Sequence, residues 1–407
     1  MIIAIHNVID TPQALDHQNM LNRISAAIGL IAVMGGLAGS ANARTTSVAE
    51  ANNKTVAIEQ LIQSEMTARD IPGLQLAIVQ NGKIVFTGAY GLANRETSAP
   101  VTNKTIFRIN SISKAVTGVA AMQLVEAGKL DLDAPISTYL DKLPEAWSGV
   151  TVRQALTHTS GLPEIVDDNT RPIDGLVDPD ASWARVQQDP LMFPPGAGYR
   201  YNQTNYVVMG KIIAKLSGKS FSDFVRDRQF NKAGMKQTRF AYPVSAKPDL
   251  AELYTHLTLK FDGMRTVGAD RSETAFVRQE SWTSAQLLPI GGIQSTAIDL
   301  AKWVIAIQKW QLVNKNSVEE LWKPQPQKDG SYRGFNAFIN GYGLGWPSVR
   351  RAEHPALALT GGARATVFIY PKDDLSVVVL TNLMGASPEK FVDKIASHYI
   401  PGLAAEK

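Results

Sequence analysis

Ser111 and Lys114 stand three residues apart at the start of the run SISKAVTGVAAMQLVEAG. On a helix that spacing puts both side chains on one face, so the serine hydroxyl and the lysine amine can meet. Such a pair makes an acyl-transfer nucleophile if the lysine is neutral and takes the serine proton. Bringing a lysine from about 10.4 to near 7 requires roughly 4–5 kcal/mol of desolvation or neighbouring positive charge. The helix is apolar nearly all round, which predicts burial. Asn110 is the expected N-cap, and the free N–H groups of a buried helix start suit a developing oxyanion.

The S-x-x-K pattern alone is weak. Ser387-Pro388-Glu389-Lys390 repeats it among polar residues, where serine as N-cap and proline at the first helical position account for it structurally. Other nucleophile templates are missing: the chain has no cysteine, no G-x-S-x-G elbow and no P-loop. Its six histidines are isolated, which argues against metal catalysis; no metal and no organic cofactor is expected.

Two β-rich stretches lie near the chain ends. LQLAIVQ and KIVFTGAYG are joined by Asn81-Gly82, a strong hairpin signal, and ATVFIY and LSVVVLTN by a turn at 371–374. A helix near 49–69 with Ile58, Leu61, Ile62 and Met66 on one stripe precedes the first. A helix from about Ser387 to Tyr399 follows the second. Residues of about 110–310 read as helices and loops, with Asp180–Gly198 a long irregular loop. The expected fold is α+β: an antiparallel sheet built from both chain ends, terminal helices packed on it, and a mostly helical region inserted.

These stretches carry a resemblance. FRINSISKAVTGVAAMQLVEAGKLDLDAPISTYL (107–140) is similar to the SxxK region of the serine β-lactamase and penicillin-binding-protein superfamily, in particular its class C β-lactamase, DD-peptidase and family VIII esterase branch. TVRQALTHTSGLP, PPGAGYRYNQTNYVVMG, PIGGIQSTAIDLAKW and YGLGW resemble further stretches of that branch, in the same order. The resemblance implies a β-lactamase-like fold. It also implies Ser111 as acylating serine, Lys114 as its partner, and Tyr201 sharing general-base duty and protonating the leaving group. The oxyanion would be held by the N–H groups of Ser111 and Gly362. His158 falls in a structural stretch and reads as a hydrogen-bonded core or loop residue.

Two departures bear on substrate. The asparagine of the Y-x-N motif is Gln203 here, and the K/H-T-G strand reads Leu359-Thr360-Gly361, followed by Gly362. The cation that would engage a carboxylate is lost, which favours esters or uncharged amides over efficient β-lactam hydrolysis. Arg364 is a candidate replacement. The alternative is a binding or sensor protein for β-lactams or peptidoglycan fragments, with little turnover.

The 41 basic and 37 acidic residues are interspersed, so nucleic acid is not an expected partner. The expected partner is a small-molecule or peptide acyl donor; the oligomeric state is left open. From Met20, Arg23, an apolar run to Leu37 and Ala41-Asn42-Ala43 follow the order of a secretory signal. The expectation is an N-terminal extension and signal over 1–43, export to the periplasm or medium, no membrane span after cleavage, and a hydrolase domain over 44–407.

Overall fold

The computed structural model describes residues 40–166, 179–241, 249–262, 265–271, 277–278 and 284–403. The proposed signal segment, apart from its last residues, lies outside them. The main compact unit is Lys54–Lys407; of the preceding unit, Met1–Asn53, the described residues are the helical ones from Ser40.

Eight antiparallel strands form the principal sheet: β1 (Gly73–Gln80), β2 (Lys83–Asn94) and β3 (Ala99–Pro100) from the front of the chain, and β11 (Gly341–Tyr342), β12 (Pro347–Val349), β13 (Ala356–Gly361), β14 (Ala365–Tyr370) and β15 (Leu375–Thr381) from its end. Their spatial order is β11-β12-β13-β14-β15-β1-β2-β3, so β1 and β15 close the sheet across the chain ends. The expected hairpin forms as read, with Asn81 at φ 51° and Gly82 at φ 65°, both left-handed as a primed turn requires.

β15 is buried along its whole length because helices cover both faces of the sheet. Val377 and Val379 face α1 (Ser40–Ala68), whose stripe Ile58, Ile62 and Met66 packs there beside the C-terminal α8 (Val392–Ala396). Val378 and Leu380 face the other way, into the core around α2 (Ser113–Glu126). Twelve of the fourteen α2 residues are buried.

The inserted region carries α3 (Val152–Leu156), α4 (Pro179–Val186), α5 (Thr204–Ser217) and α6 (Ala297–Gln308), with α7 (Lys315–Trp322) beyond it. The fold departs from the expected reading in three places. α4 forms inside the stretch read as loop, with proline first and Asp180 in its first turn, a normal helix entry. Short strands also lie there: β4 (Phe107–Arg108), β5 (Arg239–Phe240) and β10 (Ile293–Ser295) make one small sheet, and β6 (Tyr254–Thr255) pairs β9 (Val277–Arg278). β7 (Leu257–Asp262) pairs β8 (Arg265–Arg271). Third, Ser387 does not cap a helix. It sits left-handed at φ 50° without a side-chain cap bond, a 3₁₀ turn spans Pro388–Lys390, and α8 is only Val392–Ala396.

Candidate active site

The turn that carries Ser111 is 3₁₀, not α. Asn110–Ile112 make one tight turn before α2 begins at Ser113. Asn110 is not the N-cap that its type suggested. Its backbone is left-handed (φ 46°), and its side-chain oxygen accepts from Arg364 Nε at 3.2 Å. Arg364 is only 4% exposed, and burial, with Arg108 nearby, lowers its pKa to about 10. It braces the turn from beneath, with a guanidinium closed to solvent, and offers no open handle for a carboxylate.

Lys114 Nζ donates to Ser111 Oγ at 3.3 Å and to the Ile290 carbonyl at 3.1 Å. The lysine is 1% exposed, and that burial lowers its pKa to about 7, against an opposing pull from the Glu164 carboxylate. Its amine lies 4.7 Å from the centre of the Tyr201 ring and 5.5 Å from that of Tyr206. Two aromatic faces can therefore stabilise the ammonium once a proton arrives.

Tyr201 hydrogen-bonds Ser111 through its side chain. Burial raises its pKa and the Ser111 bond only partly offsets this, so the phenol keeps its proton at neutral pH. The ring is clamped by His158, at a centroid distance of 4.4 Å, and by Phe335 at 5.2 Å.

His158 is fully buried, and its Nδ1 accepts from the Asn202 backbone N–H at 3.1 Å. The ring proton therefore sits on Nε2 and is donated to Tyr342 Oη at 3.1 Å. Desolvation drives its pKa well down. It is a neutral spacer under Tyr201, as its sequence context suggested.

Gln203 occupies the N-cap position of α5 without a side-chain cap bond. What holds it is its backbone N–H, which donates to both Glu164 oxygens at 3.2 and 3.0 Å. The first turn of α5 is instead tied by Asn202, whose Oδ1 accepts from the Asn205 N–H at 3.1 Å.

Leu359 points into the apolar core beside its cross-strand partner Val367 and is 1% exposed. Thr360 is half-buried and pairs with Thr366. Gly361 reaches the turn that carries Ser111 so closely that a Cβ there would stand 2.1 Å from the Ile109 carbonyl oxygen and 3.3 Å from Ser111 N. Gly362 is left-handed at φ 58° and lies over the Asn110 side chain. The structure thus gathers Ser111, Lys114, Tyr201, Gly361 and Gly362, leaves Gln203 attached through its backbone, and withdraws Leu359 into the core. Gly361→Ala is expected to force strand and turn apart and to cost about 1–3 kcal/mol of stability, read as a lowered midpoint of thermal unfolding.

Glu164 was not singled out from the sequence. Its signal was there: one carboxylate in the apolar run Leu162-Pro163-Glu164-Ile165-Val166. Among the described residues no group of three or more His, Asp or Glu is placed to hold a metal ion, and no helix is long and apolar enough to cross a membrane.

Residues 58–399 match the family described as Beta-lactamase. PbpX of Bacillus subtilis strain 168, named for penicillin binding, is 30% identical over 281 residues, covering 69% of this chain and 66% of its own. The chain spans just under two thirds of the length of the curated relatives it matches. An octameric penicillin-binding protein homologue from Pyrococcus abyssi superposes with TM-score 0.70 at 26% identity, over 84% of this chain and 76% of that one. The D-amino acid amidase of Ochrobactrum anthropi SV3 shares the fold, with TM-score 0.68 at 23% identity over 85% and 97% of the two chains.

Proposed function

We propose that this chain, which belongs to the β-lactamase family, is a serine hydrolase that forms an acyl-serine on Ser111 from neutral esters or amides and releases it to water. The observation that carries this reading is the buried Lys114, whose amine is bonded to Ser111 Oγ and half-neutral near pH 7.

Lys114 takes the serine proton as Ser111 Oγ attacks the acyl carbonyl, and the resulting ammonium rests over the Tyr201 and Tyr206 rings. The backbone N–H groups of Ser111 and Gly362 hold the oxyanion; the tight approach of Gly361 to the nucleophile turn supports that pairing. Tyr201, protonated at rest, donates to the leaving group and regains a proton from the Lys114 ammonium, which restores the neutral lysine for the attack by water. This divides the labour more sharply than shared general-base duty: lysine is the base, tyrosine the acid. Water then repeats the cycle on the acyl-serine.

The preference for donors without a carboxylate rests on charge. Leu359 puts no cation on β13, Arg364 is closed beneath the turn, and Glu164 adds a negative field near Lys114 and Tyr201. Export by the segment from Met20, with cleavage after Ala43, belongs to the same proposal and rests on the sequence order alone.

The test compares a short-chain p-nitrophenyl ester with a chromogenic cephalosporin. Turnover of the ester with little of the cephalosporin is the expected result. A stable adduct on Ser111 with neither turned over would favour the binding or sensor alternative, and rapid cephalosporin turnover would refute the charge argument.

Glu164→Gln tests the electrostatics separately. The carboxylate raises the Lys114 pKa, so its removal lets burial depress that pKa further. The rise of kcat/KM with pH is expected to move to lower pH. A purely structural Glu164 would lower the rate and leave the inflection in place.

A further inference from the structure

A cavity of about 570 Å³ opens at the far end of β13, between the end of α7, the 350–355 loop and the β14–β15 turn. Its volume is that of a small-molecule site. It is separate from the nucleophile: Ala356 lines it, and Gly361 lies five residues further along the same strand, about 17 Å away.

The twelve lining residues include three cations and no carboxylate. Arg350 lies with its guanidinium carbon 3.5 Å from the centre of the Tyr332 ring, which fixes it at the rim. Lys372 projects, exposed, from the opposite turn. Arg351 is anchored from behind, with Nη1 on Asp393 Oδ2 at 2.6 Å and Nε on the His354 carbonyl at 2.8 Å. Trp322, Pro324, Pro355 and Pro371, all partly or fully exposed, give the cavity apolar walls.

We propose that this cavity is a binding site for a small organic carboxylate with an apolar body, distinct from the Ser111 site. The carboxylate meets Arg350 and Lys372 at the rim, and the apolar body lies against Trp322, Pro324, Pro355 and Pro371. The proposal is independent of which acyl donor Ser111 takes.

The test is a ¹⁹F NMR titration of the full chain with 4-(trifluoromethyl)benzoate and its neutral benzamide counterpart. The benzoate is expected to bind saturably and at least about tenfold tighter than the amide. The double variant Arg350→Gln/Lys372→Gln is expected to weaken benzoate by about tenfold or more, with p-nitrophenyl ester hydrolysis unchanged as proof of a folded enzyme. Ala352→Trp, which fills the mouth from an exposed position, should weaken it as well. Covalent labelling of Ser111 by a fluorophosphonate should leave benzoate binding intact. Equal affinity for benzoate and benzamide overturns the proposal, as does full affinity in the double variant. So does loss of binding on labelling Ser111, which would put the probe in the catalytic cleft, or no saturation up to about 10 mM.

Discussion

Ser111→Ala is expected to reduce hydrolysis of a p-nitrophenyl ester by roughly five to six orders of magnitude. In the proposed mechanism the Ser111 oxygen forms the acyl bond and no described neighbour replaces it, because Lys114 and Tyr201 are assigned only proton movements around it. The fold should be unaffected, because Ser111 lies on a turn already fixed by Asn110, Arg364 and the close packing of Gly361. Rates of the purified variant and an unchanged thermal midpoint check both halves. Turnover surviving in the variant would remove Ser111 from the mechanism.

Lys114→Met is expected to cost about 10²–10⁴ in kcat/KM and to raise stability at the same time. The second effect follows from the same burial as the first. The unfolded lysine titrates near 10.5 and the folded one near 7, so at pH 7 and below the native state gives up on the order of 4–5 kcal/mol to keep this amine buried. The sign is that of a base with a depressed folded pKa. Between pH 7 and 10 the unfolded state holds more protons, so the wild type gains stability as pH rises through that window. Methionine removes the titration, and its stability curve should be flatter there and higher at pH 7. Chemical unfolding of both proteins at several pH values measures this. A variant that is less stable than wild type at pH 7 would mean that the amine is held by its bonds to Ser111 and Ile290 more than it is penalised by burial. Function here is maintained against stability, as in other strained sites.

Much of this was legible in the sequence, for reasons that differ by residue. The α2 apolar run announced a buried helix, and burial is what sets Lys114 near 7. Asn81-Gly82 announced the hairpin because left-handed backbone at two successive positions admits few residue types. The sheet from both chain ends followed from period and turn chemistry. What the sequence concealed was mostly the work of long-range contacts. Asn110 has the right residue type for a cap, yet its oxygen is taken by Arg364, 254 residues away. Ser387 likewise looked like a cap and is a left-handed turn residue. Glu164 acts on Lys114 across space, which no local pattern reports. Leu359 was legible as a lost cation, but only the register of β13 against Val367 shows that the position faces the core. The β7–β8 hairpin was signalled by Asp262-Gly263 between alternating residues and was obscured by the helical character of the region around it.

The central claim is that Ser111 is the nucleophile and that neutral Lys114 activates it. The most direct measurement is the pH dependence of covalent labelling by a fluorophosphonate, followed by intact mass and peptide mapping. A single adduct on the Ser111 peptide is predicted, forming at a rate that rises through about pH 7 as Lys114 loses its proton and becoming slow at every pH in Lys114→Met. An adduct on any other residue, or labelling of Ser111 at an undiminished rate in Lys114→Met, would contradict it.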